Sequence, residues 1–242
     1  MFRHYDPTKL HVYTNIGRLY NIANEHYPGV NTVLSSTEPQ EQKDYWAKWR
    51  SQPKNAAKSE RAKARGSLLH KAVEYQLKGK RYTEAFVGVK EDLLDEVLPY
   101  WQSIQLACIL PKLSCIALIE SAVWHPIGKY AGTVDLVAEV EGELCVVDWK
   151  TSARHKESHW CTNYGLQCAA YAGAVNRMYQ TEIATGVVVI AVPGEEAQVL
   201  RYNLKELWIP WLRLVCQYWQ QQDTTQVASV LYQLGQEYPM LA

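Results

Sequence analysis

The sequence contains no run of about eighteen apolar residues, the length needed to cross a bilayer, so no membrane span is expected. Its opening residues, Met1-Phe2-Arg3-His4-Tyr5-Asp6, lack an apolar stretch and carry an early acid, so no targeting segment is read there. There is no CxxC pair among the six cysteines (108, 115, 145, 161, 168 and 216), which argues against a zinc site built from them. Most sit among apolar neighbours and read as buried free thiols. Internal repeats and low-complexity linkers are also missing. So is a net charge, since 25 Lys/Arg balance 25 Asp/Glu, and this at first speaks against a nucleic-acid partner.

The charge is nevertheless unevenly placed. Between Lys43 and Arg81 twelve Lys/Arg face only three acids, Asp44, Glu60 and Glu74, so the rest of the chain is acidic. One anion-binding side would give such an asymmetry, and so would a solvated helical face. Within this stretch Lys54, Lys58, Arg61 and Arg65 share helical spacing, and Trp46 and Trp49 precede them. Aromatics that stack on bases and cations that track phosphates are the pattern of a single-strand binder. Trp208, Trp211 and Trp219 alternate with Leu and Val at helical spacing and read as core.

With 242 residues the chain is long enough for one sizeable α/β core. Gln40 to Lys80, punctuated by Pro53 and Gly66, and Glu91 to Leu110 suit helices. Ser114–Trp124, Tyr130–Val140 and Glu143–Lys150 form a strand meander, separated by Pro126-Ile127-Gly128 and Glu141-Gly142. A helix is expected over Asn163–Tyr179, strands over Gly186–Val192 and Gln198–Tyr202, and a helix over Leu204–Gln222. The expected fold is α/β, a central mixed sheet flanked by helices, in a single domain. Residues 1–111 would be mainly helical, 112–203 the sheet core and 204–242 C-terminal helices.

The chemistry concentrates on two adjacent strands. Gly132-Thr133-Val134-Asp135 is followed by Val146-Val147-Asp148-Trp149-Lys150-Thr151. Asp148 and Lys150 are two apart on a strand and point to one face, with Trp149 on the other. Holding a carboxylate and an ammonium there is expensive unless they are used. Two carboxylates, Asp135 and Asp148, on neighbouring strands suit a hard divalent cation with oxygen ligands. Phosphodiester hydrolysis needs such an ion to activate water, and a lysine beside it to stabilise developing charge. A buried structural ion network is the alternative for these three residues.

Together these segments resemble the core of the PD-(D/E)XK nuclease superfamily, RecB-like branch. Gln167-Cys168-Ala169-Ala170-Tyr171 matches that branch's QxxxY helix, whose two polar side chains share a face. Arg65-Gly66-Ser67-Leu68-Leu69-His70 is similar to its Gly-x-x-x-His helix, and Glu120 matches a strand glutamate found before the Gly-x-x-Asp segment. Pro28-Gly29-Val30-Asn31-Thr32-Val33-Leu34-Ser35-Ser36-Thr37 resembles an N-terminal segment of the mitochondrial genome maintenance exonucleases and their phage-encoded relatives, with Asn31 where a threonine is usual.

The resemblance implies catalytic roles for Asp135, Asp148, Lys150 and Gln167. It implies metal ligands at His70, Glu120, Asp135, Asp148 and the Trp149 carbonyl, with Mg²⁺ or Mn²⁺ as cofactor. Tyr171, Lys54, Lys58, Arg61, Arg65, Trp46 and Trp49 would contact single-stranded DNA or flaps, some of them on a helical arch. An iron–sulfur cluster is not expected, because only Cys216 follows Cys168. An open-cleft endonuclease and an inactive DNA-binding subunit stay as alternatives. No membrane partner is expected. The setting expected here is the cytoplasm of a bacterial or phage-infected cell, with a processed organellar protein as the alternative.

Overall fold

The computed structural model describes residues 1–14, 17–222 and 226–241. It opens with a three-stranded antiparallel sheet, β1 (His11–Thr14), β2 (Gly17–Ile22) and β3 (Glu25–Pro28). A short helix, α1 (Val30–Ser36), follows directly, and then the basic helices α2 (Gln40–Ser51) and α3 (Pro53–Leu77). Pro53 occupies the first turn of α3, where its missing N–H costs nothing, and so divides what composition reads as one helical stretch. α4 (Glu91–Leu106) completes the N-terminal helical region.

The main sheet has five strands in the order β4 (Leu113–His125), β5 (Tyr130–Val140), β6 (Glu143–Thr151), β7 (Thr185–Ala191) and β8 (Gln198–Asn203). All neighbours are antiparallel except β6 and β7. A parallel pair needs a crossover, and α5 (Thr162–Tyr179) provides it. α6 (Leu204–Gln220) and α7 (Gln226–Glu237) follow. The expected mixed sheet flanked by helices is therefore observed, with strand ends within a residue or two of those read from the sequence.

The sheet is covered on both faces. On one, Leu69, Ala72 and Val73 of α3 and Val97, Trp101 and Ile104 of α4 pack on Val147, Trp149, Val187 and Val189. On the other, Cys168, Ala169 and Val175 of α5 and Trp211, Leu212 and Val215 of α6 pack on Val146, Val188 and Ile190. Buried on two sides, β7 is a nearly unbroken apolar run, Val187-Val188-Val189-Ile190-Ala191. Trp211 and Trp219 are buried and Trp208 is packed against this core. Cys108 and Cys115 are exposed, the other four cysteines are not, and all six are free thiols.

The N-terminal sheet was not legible from composition. It is held by a small cluster of its own, in which Tyr20, Ile22 and Tyr27 meet Ala122 and Ala131. Residues ahead of it run beside β4, with Ala122 N–H donating to the Tyr5 carbonyl and Tyr5 N–H to Ser121 Oγ. Among the described residues, no helix is long and apolar enough to cross a membrane.

Candidate active site and metal centre

β5 and β6 begin as an ordinary ladder and then separate. Their pairing runs from Val140 opposite Glu143 to Leu136 opposite Val147. Beyond it, the Trp149 N–H donates to Asp135 Oδ2 at 3.0 Å instead of to a backbone carbonyl. The carboxylate thus takes over the ladder's role where the strands part. β6 meanwhile stays paired with β7 through Thr151, so Asp148 and Lys150 project from a rigid edge.

Across β4 the register places Glu120 opposite Asp135, between the pairs Ile119–Leu136 and Ser121–Val134. Glu120 has φ of 45°, a left-handed conformation that costs a non-glycine residue about 1–3 kcal/mol and tends to persist at functional sites. Two carboxylates facing each other across a sheet repel. The counter-charge comes from α3. His70 Nδ1 is 3.5 Å from Asp135 and 3.6 Å from Glu120, while His70 Nε2 donates to the Trp149 carbonyl at 2.7 Å. Ligand atoms of His70, Glu120 and Asp135 all lie within 4.8 Å of one another.

The electrostatics reflect this crowding. Burial disfavours a charged His70, but the Asp135 and Glu120 carboxylates outweigh it and push the imidazole up to about 9. Burial raises the Asp135 carboxyl, against the pull of His70. It raises Asp148 to about 6, against the pull of Lys150. Lys150 is held above the usual lysine range because Asp148 and Asp135 outweigh its desolvation. Lys150 Nζ lies 2.6 Å from Asp148 Oδ2 as a buried ion pair, and neither Asp148 oxygen has a further hydrogen-bond partner. Three carboxylates (Glu120, Asp135 and Asp148), an imidazole and a carbonyl form a donor set that fits a hard divalent cation such as Mg²⁺ or Mn²⁺.

A cleft of about 840 Å³ opens onto this cluster. Asp135, Lys150, Gln167 and Tyr171 line its floor, His70, Glu120 and Lys63 one side, and Arg18, Tyr20, Asn31, Thr32 and Ser35 the other. Gln167 Nε2 donates to Tyr171 Oη at 3.0 Å, the i,i+4 contact expected on α5. The Tyr171 ring lies where a Cβ on Gly132 would sit, 2.4 Å from its Cε1, which explains the glycine of Gly132-Thr133-Val134-Asp135. A second cavity of about 560 Å³, between α5 and α6 around Arg177 and Trp208, shares no residue with the cleft.

The basic helices divide. Lys54 and Lys58 are exposed. Arg61, although in helical register with them, bonds Asp92 at 2.9 Å and Glu96 at 2.8 Å, and Arg65 reaches Glu96 at 3.4 Å and lies over the Tyr100 ring. The expected common face is thus split, because acids on α4 claim its C-terminal half. α2 buries no residue, and Trp46 is 36% exposed with its ring 5.8 Å from that of Trp49. None of the residues lining the cleft comes from α2.

The far wall was not anticipated. Tyr20 is buried and its hydroxyl meets Thr133 Oγ1 at 3.1 Å, tying the N-terminal sheet to the Asp135 strand. Thr32 Oγ1 and the Gly29 N–H both donate to the Arg18 carbonyl, which sets Arg18 at the cleft rim. The Gly29-to-Thr32 segment therefore joins α1 to β2, an arrangement that only long-range packing reveals.

A model of the PD-(D/E)XK nuclease superfamily matches residues 42–230. The chain is 32% identical over 209 residues to mitochondrial genome maintenance exonuclease 1 of Mus musculus, covering 81% of this chain and 60% of that one. It is 35% identical over 153 residues to the Homo sapiens protein of the same name, covering 56% and 43%, and 30% identical over 175 residues to that of Xenopus tropicalis, covering 71% and 50%. The match thus spans 60% or less of each relative's length. These relatives also overturn the bacterial or phage-host cytoplasm expected above, since all three are vertebrate proteins named for a mitochondrial role. That expectation rested on the lack of a targeting segment at the N-terminus, and such a lack is silent about compartment. The match over residues 42–230 contains Asp135, Lys150 and the QxxxY pair, which line the cleft, and the buried Asp148 behind them, and the chain belongs to the PD-(D/E)XK nuclease superfamily.

Proposed function

We propose that the chain is a divalent-metal-dependent deoxyribonuclease, one nuclease domain that degrades single-stranded DNA and flaps from a free end. The names of its relatives support exonuclease action and a mitochondrial setting. The observation that carries the metal-dependent reading is the His70, Glu120 and Asp135 cluster, whose ligand atoms all lie within 4.8 Å of one another, beside the buried Asp148–Lys150 pair. His70, Glu120, Asp135, Asp148 and the Trp149 carbonyl would hold Mg²⁺ or Mn²⁺. Such an ion supplies Lewis acidity at a phosphoryl oxygen and lowers the pKa of water.

The chain's own groups do the rest. Lys150 keeps its proton, so it is a donor and not a base. It can orient the attacking water and stabilise charge gathering on the phosphoryl oxygens. Gln167 and Tyr171 are buried at the cleft floor, and burial keeps the Tyr171 hydroxyl neutral, so it can donate to a phosphate. Exposed Lys54 and Lys58 would track phosphates and Trp46 and Trp49 would stack on bases. Arg61 and Arg65, engaged with α4, would brace that surface.

The test is a time course on 5′- and 3′-labelled linear strands and a circular strand, with Mg²⁺ and with EDTA. Degradation of the linear strands alone, abolished by EDTA, is expected. A second reading, an open-cleft endonuclease, is favoured by the absence of α2 residues from the cleft lining. Equal rates on circular and linear strands would establish it and remove the requirement for an end.

A further inference from the structure

The loop that leaves the catalytic strand is built, exposed and unexplained. It runs from Ser152 to Cys161, directly after Lys150 and Thr151. It is not held by a core, since only Cys161 in it is buried. Polar bonds to its own backbone hold it instead. The Gln198 side chain brackets Lys156, accepting from its N–H at 3.0 Å and donating to its carbonyl at 2.8 Å. His155 Nε2 donates to the Glu196 carbonyl at 3.0 Å, Ser152 Oγ to the Arg154 carbonyl at 2.6 Å, and the Tyr202 hydroxyl to the Cys161 carbonyl at 3.0 Å. A loop braced against β8 and the turn before it pre-pays the ordering entropy that binding would otherwise cost.

What this bracing presents is an aromatic and two cations. Trp160 is 55% exposed, with the Arg154 guanidinium 6.0 Å from its ring and the His159 ring 5.2 Å away. Lys156 Nζ bonds the Tyr164 hydroxyl at 2.6 Å. The same Tyr164 ring has Lys156 at 4.9 Å and Lys150 at 5.4 Å from its centre, so it links the loop to Lys150. His155 is spoken for by Glu196 and by Glu195, 3.7 Å away, and Glu157 is the one acid in the loop. An indole that packs on no core, flanked by an arginine and next to a phosphate-cleaving site, has the makeup of a base platform.

Resting on the nuclease reading above, we propose that Trp160, Arg154 and Lys156 form a nucleotide subsite adjoining the scissile position, with Trp160 stacking on a base of the single strand and Arg154 and Lys156 holding the flanking phosphates. The platform is sequence-tolerant, because every base offers a π-face. It is distinct from the Trp46–Trp49 surface, which sits on α2.

The experiment measures binding of a fluorescently labelled oligothymidylate to the full chain by anisotropy in EDTA, and its degradation in Mg²⁺. Trp160→Ala should weaken binding about five-fold or more and raise KM, with an unchanged melting temperature, and Trp160→Phe should restore most of the loss. Arg154→Ala should lower the slope of log affinity against log salt by about one. If wild type binds and degrades the strand while Trp160→Ala matches it within two-fold, the subsite is wrong and the nuclease reading stands, leaving this face to a protein partner. A loss accompanied by a lower melting temperature and not rescued by Phe makes Trp160 structural and also overturns the proposal. If wild type neither binds nor degrades the strand, both readings fall.

Discussion

Two histidines, His70 of α3 and His125 at the end of β4, are pushed in opposite directions. His70 is raised to about 9 by the carboxylates it faces, against its own burial. His125, at the end of β4, is lowered to about 3 by burial, with Arg177 adding to it. The surroundings of His125 are those of a finished core. It stacks on Tyr130 with centroids 5.3 Å apart, its Nδ1 accepts the Gly128 N–H at 3.0 Å, and Trp219 Nε1 donates to the Gly128 carbonyl at 2.9 Å. Around His70 the charges are concentrated, mutually repelling and only partly satisfied. The first arrangement is what stability alone produces. The second is costly, and it makes sense as a site that spends stability to hold a cation and a phosphate.

The sharpest way to break this comparison is at Asp148. Asp148→Asn removes the charge of the carboxylate paired with Lys150, so cleavage should fall about a thousandfold, the upper scale for losing one electrostatic contributor. Affinity for a single strand should be kept, because the exposed cations are untouched. Turnover near the wild-type rate in saturating Mg²⁺ would refute the assignment. Next in size is Lys150→Ala. A loss of about a hundredfold or more in single-turnover rate is expected, with the DNA dissociation constant nearly unchanged. Equal losses in both would make Lys150 a phosphate clamp.

The His125 side is sharpened by pH. Its folded pKa lies below the unfolded value of 6.5, so its neutral form contributes stability that is full above pH 6.5 and is lost as pH falls toward 3. Between pH 6.5 and 5 the wild type should lose up to about 2 kcal/mol to this group. Denaturant midpoints of wild type and His125→Gln across this range should therefore converge, and parallel curves would remove His125 as the cause. His70 has the opposite sign in metal-free protein. Its contribution is full below pH 6.5 and lost as pH rises through about 9.

The smallest effect is expected at Gly66, one turn before His70. A Cβ there would meet only Thr151 Oγ1, at 3.9 Å. Gly66→Ala should stabilise α3 by about 0.5–1 kcal/mol, the cost of glycine in a helix interior. If the melting temperature rises and activity falls, the space is used by substrate. If both hold or rise, the glycine is a helix irregularity without a role in binding.

Much of the sheet could be read from the chain because its signals are local. The apolar runs of β5, β6 and β7 and the Gly-Pro punctuation between strands need no knowledge of neighbours. Asp135, Asp148 and Lys150 were legible for the same reason, as charges set within otherwise apolar strands. The N-terminal sheet was not, since β1 alternates poorly and the sheet is held through Tyr20, Ile22 and Tyr27, which pack on Ala122 and Ala131, about a hundred residues away. Arg61 and Arg65 look like their exposed neighbours until α4 supplies Asp92 and Glu96. Trp160 carried no periodic signal, because its loop is organised by Gln198 and not by helical or strand spacing.

The bond from the Trp149 N–H to Asp135 has a further consequence, for how the chain avoids a misaligned state. Side chains alternate along a strand, so a one-residue slip of β6 would turn Asp148 and Lys150 toward α3 and bring Trp149 into the cleft. Apolar residues on both sides of β6 would tolerate that slip, since the strand is buried on either face. Asp135 favours the native alignment, because its carboxylate accepts the Trp149 N–H there and a slip would break that bond. A residue of the candidate metal cluster is then also a peg for the pairing of the strand that carries Asp148 and Lys150. Substitutions of Asp135 should therefore mix chemical and folding defects in a way that Asp148 substitutions do not.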